Sequence, residues 1–160
     1  MTIKVGDRIP SVTLMEKQEG GPAPVGTDAL FAGKKVALFA LPGAFTPTCS
    51  AKHVPGYVRS YDALKAKGVD TIVCLSVNDA FVMDAWGKEQ GADGKVRMVA
   101  DGNGEFTRAV GLDFDASKFG MGTRSQRYSM IVDDGVVKSL NVEEPGAFEV
   151  SSADHMLGLL

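Results

Sequence analysis

Apolar and polar positions along the chain alternate between two periods. Val12–Met15 reads as a short strand, and Lys35–Leu41 is a continuous apolar run stopped by Pro42-Gly43, the pattern of a strand buried on both faces. Between them, Gly20-Gly21-Pro22-Ala23-Pro24 reads as a connection without regular structure. From Ser50 to Lys67 the period changes: Val54, Tyr57, Val58, Tyr61 and Leu64 fall at helical spacing, with Pro55 expected in the first turns or at a kink. Gly68 closes that helix, and Val69–Val77 forms a second buried strand. Asn78 or Asp79 caps a helix running to about Gln90, and a third strand follows at Val96–Ala100.

A helical segment is expected at Gly104–Gly111, then a loop or short helix at Asp113–Gly122. Ser125–Val132 and Val136–Val142 make an antiparallel hairpin about Asp133-Asp134-Gly135, and a closing helix spans Ser151–Leu160. Strands alternating with helices call for a parallel sheet, and the hairpin adds an antiparallel part. The expected fold is therefore α/β, a central mixed sheet with helices on both faces, with 1–160 as one domain.

Composition narrows the function. With 17 basic against 20 acidic residues and a net charge of −3, the chain has no broad cationic surface to attract nucleic acid or anionic lipid. No run is long enough to span a bilayer, and the N-terminal residues lack the apolar core of a signal peptide, so a cytoplasmic protein is expected. Two cysteines are too few for a disulfide scaffold or a Cys-only zinc site, and suit reduced thiols. Gly102-Asn103-Gly104 does not complete a dinucleotide fingerprint. The acidic pairs Asp133-Asp134 and Glu143-Glu144 read as solvated surface.

One segment carries chemistry. Leu41-Pro42-Gly43-Ala44-Phe45-Thr46-Pro47-Thr48-Cys49-Ser50 joins a buried strand to a helix, which sets Cys49 in the first helical turn. There the unfilled N–H groups and the positive end of the helix dipole favour a thiolate, the nucleophilic form of cysteine. Pro42 and Pro47 restrain the loop, and the Thr46 hydroxyl can hydrogen-bond sulfur or a bound oxygen. Cys49 could alternatively be a small core residue. Cys74, between Val73 and Leu75 in a strand, reads as an inert core thiol. Arg127 taken alone is a strand arginine facing solvent. His53, one turn past Cys49, is either a base or a structural residue, and His155 is solvated. Phe45, Phe119 and Met121 lie on loops, where exposed apolar side chains mark an interface.

The run Pro42-x-x-x-Thr46-x-x-Cys49 resembles the active-site signature of the peroxiredoxins, in particular the type II or Prx5-like group. Lys52-His53-Val54-Pro55-Gly56-Tyr57, Ser76-Val77-Asn78-Asp79 and Gln126-Arg127-Tyr128-Ser129-Met130 continue the likeness in order and spacing, over essentially the whole chain. The resemblance implies a thioredoxin-like fold and reduction of hydroperoxides by Cys49 through a sulfenic acid. It further implies that Thr46 holds the peroxide, that Pro42 shields the sulfur, and that Arg127 brings positive charge to sulfur and peroxide. It implies no cofactor, a homodimer, and an external reductant, whether glutathione, glutaredoxin or thioredoxin. A resolving cysteine, which some members carry near the C-terminus, is missing from Phe148–Ala153. Two rivals remain. A thioredoxin-type oxidoreductase would need a Cys-x-x-Cys pair, but Thr46 occupies the first position; a redox sensor with Cys49 would react without turnover.

Overall fold

The computed structural model describes residues 1–160. A seven-stranded mixed sheet runs in the order β2 (Gly21–Gly26), β1 (Thr13–Gln18), β5 (Arg97–Ala100), β4 (Thr71–Ser76), β3 (Lys35–Ala40), β8 (Tyr128–Asp133), β9 (Val136–Val142). The central strands β3, β4 and β5 are parallel, as their helical connections require. Strand β8 adds antiparallel to β3 and turns back as β9 through Asp134, whose φ is +48°. A separate two-stranded ribbon pairs β6 (Asp113–Asp115) with β7 (Thr123–Ser125).

Because β3 and β4 alternate between two buried faces, the molecule has two cores. One contains Phe39, Cys49, Tyr57, Cys74 and Trp86; the other contains Leu14, Phe31, Leu38, Phe106 and Met130. Helices α2 (Val54–Arg59), α3 (Tyr61–Ala66), α4 (Ala80–Glu89) and α6 (Ala153–Leu157) supply residues to the first core, and α1 (Thr27–Phe31) and α5 (Glu105–Ala109) to the second. Helices on both faces of a mixed sheet match the expected architecture.

Four local expectations need correction. Residues 20–24 are not a structureless connection: β2 pairs with β1 along its whole length. It tolerates Pro22 and Pro24 because it is the edge strand, and prolines two apart turn their missing donors toward the same, unpaired side. The helix expected over 50–67 is three pieces: a π-helical turn at Cys49–His53, then α2, then α3 after a break at Ser60. The strand expected over 125–132 is interrupted at Gln126-Arg127, since Ser125 pairs into the small ribbon while Tyr128 begins β8. The last helix is only Ala153–Leu157, capped by the Ser152 side chain accepting from the His155 N–H. Helix α1 carried no strong sequence signal.

Candidate active site

Strand β3 ends against a tight loop that sets up the helix start. Space beside Gly43 is tight: a Cβ there would displace the end of the Arg124 side chain, with Nη1 at 2.8 Å, and press on Thr46 Cγ2 at 3.3 Å. Phe45 takes a left-handed φ of +65°, uncommon and strained for an aromatic residue. The strain is held from both sides. Asn78 Oδ1 accepts from Ala44 N at 2.9 Å and from Ser76 Oγ at 2.6 Å, while Arg124 donates to the Pro42 carbonyl at 3.3 Å and to the Met121 carbonyl at 2.9 Å. The turn closes when Thr46 Oγ1 donates to the Gly43 carbonyl at 2.7 Å. That bond uses the hydroxyl proton and leaves the oxygen lone pairs as acceptors.

The helix starts at Pro47, with Ser50 N donating to Thr46 O at 2.9 Å, so Cys49 does occupy the first turn. It then widens to π geometry over Cys49–His53, closed by Val54 N donating to Cys49 O. Pro55 accounts for this: with no N–H to offer the carbonyl four residues back, it interrupts the ladder there, and the wider turn fills the gap.

Cys49 has no solvent exposure, and Arg127 Nη2 donates to its Sγ at 3.1 Å. Arg127 continues the alternation of β8 on the same face as Ser129 and Ile131, the face that carries Phe39 and Cys49. A second arm of the same guanidinium, Nη1, lies 2.8 Å from His53 Nδ1. Since arginine can only donate, Nδ1 is the acceptor, and the ring proton sits on Nε2, which donates to Ser151 O at 3.0 Å. His53 is therefore neutral. Burial first, and the Arg127 charge second, lower its pKa from 6.5 to about 3. Tyr57 donates to the same Ser151 carbonyl at 2.9 Å, and its burial drives the phenol pKa upward. Phe39 stacks on Tyr57 with centroids 4.0 Å apart, and Phe148 packs edge-on to His53 at 5.1 Å.

Of the residues singled out from sequence, Cys49 and Arg127 are in direct contact, and Pro42 and Thr46 lie on the loop that leads into the Cys49 turn. Neither Pro42 nor Thr46 hydrogen-bonds the sulfur. Arg127 is not the solvent-facing strand residue that its local sequence alone suggests. His53 is a fully buried structural residue with a defined polar role. Cys74 is buried in β4 beside Phe39, where desolvation above all, and the neighbouring Cys49 next, push its thiol pKa well up despite an opposing pull from Arg127. Sequence reasoning missed Glu143, taken for solvated surface but 7% exposed, and Ser151, whose carbonyl fixes His53. No motif announces them, because both act in an irregular segment.

The sequence profile of the Redoxin family matches residues 4–157. Peroxiredoxin-2E of Arabidopsis thaliana, described as chloroplastic, is 52% identical over 99% of this chain and 70% of its own length. Peroxiredoxin-2B of the same plant is 50% identical over 99% and 98% of the two chains. Among solved structures, reduced Prx3 of Vibrio vulnificus in complex with hydrogen peroxide superposes with a TM-score of 0.96 at 53% identity, covering 99% of each chain. Peroxiredoxin 5 of Alvinella pompejana gives 0.80 at 45% identity, covering 88% of this chain and 90% of its own. With a thioredoxin-like sheet, a thiol at a helix start and relatives of this similarity along its whole length, the chain belongs to the Redoxin family and is a peroxiredoxin, a thiol peroxidase.

Proposed function

We propose that Cys49 is the peroxidatic residue and that Pro42, Thr46 and Arg127 complete its site. The observation that carries this is the 3.1 Å bond from Arg127 Nη2 to Cys49 Sγ inside a site closed to solvent, where a guanidinium holds a thiolate far more firmly than in water. The thiolate attacks the terminal oxygen of a hydroperoxide; an S–O bond forms, the O–O bond breaks, and water or an alcohol leaves after taking a proton. Thr46 accepts from the peroxide O–H, Arg127 meets the charge developing on oxygen, and Pro42 walls the sulfur from bulk water.

Re-reduction is external, because Cys74 is held protonated in the core. A free thiol displaces the sulfenic oxygen as water and forms a mixed disulfide with Cys49, and a second thiol releases it. Glutathione, glutaredoxin and thioredoxin all fit that cycle. Glutathione has specific support: a cleft of about 180 Å³ beside the Cys49 turn is lined by Lys52, Arg59, Asp154 and Phe148. Those three charges form no ion pairs within the chain, and two cations with one carboxylate complement the two carboxylates and one ammonium of glutathione. Lys52→Glu/Arg59→Glu should raise the KM for glutathione at least several-fold and leave the rate with peroxide unchanged.

We further read residues 1–160 as a single catalytic domain that pairs as a homodimer and works in the cytoplasm, where free thiols persist. No helix is long and apolar enough to cross a membrane. The deciding experiment uses Trp86, the one tryptophan, whose Nε1 donates to Ser50 Oγ at 3.0 Å next to Cys49. Stopped-flow mixing with hydrogen peroxide should change its fluorescence in the wild type and in Cys74→Ser but not in Cys49→Ser. Steady turnover with glutathione separates an enzyme from a one-shot sensor. Equal loss in both cysteine variants would overturn the assignment.

A further inference from the structure

Strand β9 ends at Val142, and the next residue makes two connections at once. The Glu143 backbone N–H donates to the Arg127 carbonyl at 2.9 Å, extending the β8–β9 pairing by one bond. Its side chain turns inward, where an unpartnered carboxylate would be costly. It is well partnered. Oε2 accepts from Glu149 N at 2.8 Å, Val150 N at 2.9 Å, Ser151 N at 2.9 Å and Ser151 Oγ at 2.7 Å, a nest of successive N–H groups around one oxygen. Burial alone would push this carboxyl up, but the bonds from Ser151, Glu149 and Val150 outweigh it and hold the group below its ordinary pKa, as a carboxylate.

Ser151, so fixed, offers its carbonyl to His53 Nε2, and His53 Nδ1 receives Arg127 Nη1. The path returns to its starting residue. The Arg127 main chain is bonded to Glu143, Glu143 to Ser151, Ser151 to His53, and His53 to the Arg127 guanidinium. Phe148, on the loop that the Glu143 nest ties down, lies under the guanidinium with Cζ 5.9 Å from the ring centre. An arginine has many rotamers, and a fixed acceptor on one arm of its planar fork restrains where the other arm points.

We infer that Glu143 is a positioning residue of the peroxidase reaction: through Ser151 and His53 it sets the angle at which Arg127 meets Cys49. Glu143 touches neither the sulfur nor the peroxide. The inference rests on the reading that Arg127 serves Cys49, and it differs from a role confined to tethering the C-terminal segment, which would affect stability alone.

The test compares two reactions of folded protein, each followed to its high-pH plateau where Cys49 is fully thiolate and a change in thiolate population drops out: oxidation by hydrogen peroxide, which needs a correctly aimed Arg127, and alkylation by iodoacetamide, which needs the thiolate but no peroxide geometry. Glu143→Ala should slow oxidation about tenfold or more while alkylation changes less than about threefold. Glu143→Gln, which keeps one acceptor oxygen, should recover part of the loss. His53→Phe keeps the ring packing and removes both polar atoms, so it should give a similar loss, and the double variant should lose little more, as expected for groups on one path. Should Glu143→Ala fail to fold, Ser151→Ala and His53→Phe carry the same comparison. Wild-type oxidation rates in Glu143→Ala, or losses that multiply in the double variant, would overturn the inference. Arg127→Ala tells the two readings apart: full activity there sinks the Arg127 assignment itself, whereas a slow Arg127→Ala beside a wild-type Glu143→Ala sinks only the positioning role.

Discussion

At the scale of single residues, the guanidinium of Arg127 is divided between two partners, one arm on Cys49 and one on His53. A lysine has the charge but not the fork. Arg127→Lys is thus expected to behave almost like Arg127→Ala, each slowing peroxide attack by ~10²-fold or more, the usual size of a lost transition-state donor. Thr46→Val should act on the same step. It removes the oxygen proposed to accept from the peroxide and also the bond to Gly43 that closes the turn, so a similar loss is expected in stopped-flow oxidation; wild-type rates would exclude both roles. His53 makes a prediction of another kind. The unfolded chain takes up a proton on this ring near pH 6.5, but the folded protein does so only at about pH 3. Acid therefore favours unfolding: stability is fully present above pH 6.5 and is lost toward pH 3 with a slope approaching 1.4 kcal/mol per pH unit from this residue. Urea unfolding of wild type and His53→Phe at pH 7, 5.5 and 4.5 should show the difference between them shifting in that direction, since other groups contribute to both. Parallel profiles would mean that His53 titrates normally.

At the scale of elements, the helix start and the supports of its loop matter more than the helix itself. Long apolar runs made β3, β4 and the 79–90 helix legible, and the proline-framed loop placed Cys49 in the first turn. The π turn was not legible, because the register of a hydrogen-bond ladder leaves no trace in apolar spacing; Pro55 hinted only at an irregularity. Strand β2 was hidden because glycine and proline report backbone preference, whereas an edge position decides whether a proline is tolerated. Arg127 was legible only through family likeness, since nothing local shows that the face it shares with Ser129 and Ile131 is covered and carries Cys49. Two adjacent residues at the end of β4 isolate what the loop support contributes. Asp79 caps α4 by accepting from Val82 N at 2.8 Å, and Asp79→Ala should cost ~1 kcal/mol of stability with little change in rate. Asn78→Ala releases Ala44 N from its side-chain acceptor and leaves strained Phe45 less restrained, so it should slow oxidation out of proportion to any fall in Tm. Equal ratios of rate to stability in the two variants would show that the loop keeps its shape without Asn78.

At the scale of the whole molecule, the sheet brings distant segments to one end: the loop after β3, the residues after β4, the segment before β8 and the chain following β9 all meet at Cys49. Sequence order alone could suggest the sheet but not the last of these meetings, because the 143–151 segment is irregular and its bonds run to backbone N–H groups. The same end of the molecule carries exposed aromatic surface. Phe45, 54% exposed, leans over Trp86 with centroids 6.3 Å apart, and a Cβ at Gly43 would lie 3.6 Å from Met121 Cε, so the Phe45 loop adjoins the loop bearing Phe119, which is 68% exposed. Of the three loop residues expected to be exposed, Phe45 and Phe119 are, and Met121 is half-buried. Phe81, at the start of α4, is a further exposed aromatic at 61%. Scattered apolar side chains are ordinary on a protein surface, but aromatics on neighbouring loops gain by pairing, and a second copy of the chain is the occupant the family likeness implies. If these loops form the dimer contact, Phe119→Asp and Phe45→Asp should each shift sedimentation at micromolar concentration toward the monomer. Phe45 also belongs to the turn that places Thr46, so its variant should lose oxidation rate as well, whereas Phe119→Asp should keep most of the chemistry in the monomer. A wild-type protein that sediments as a monomer would remove the need for a partner, and dimers that survive both substitutions would move the contact elsewhere, with Phe81 the next residue to change.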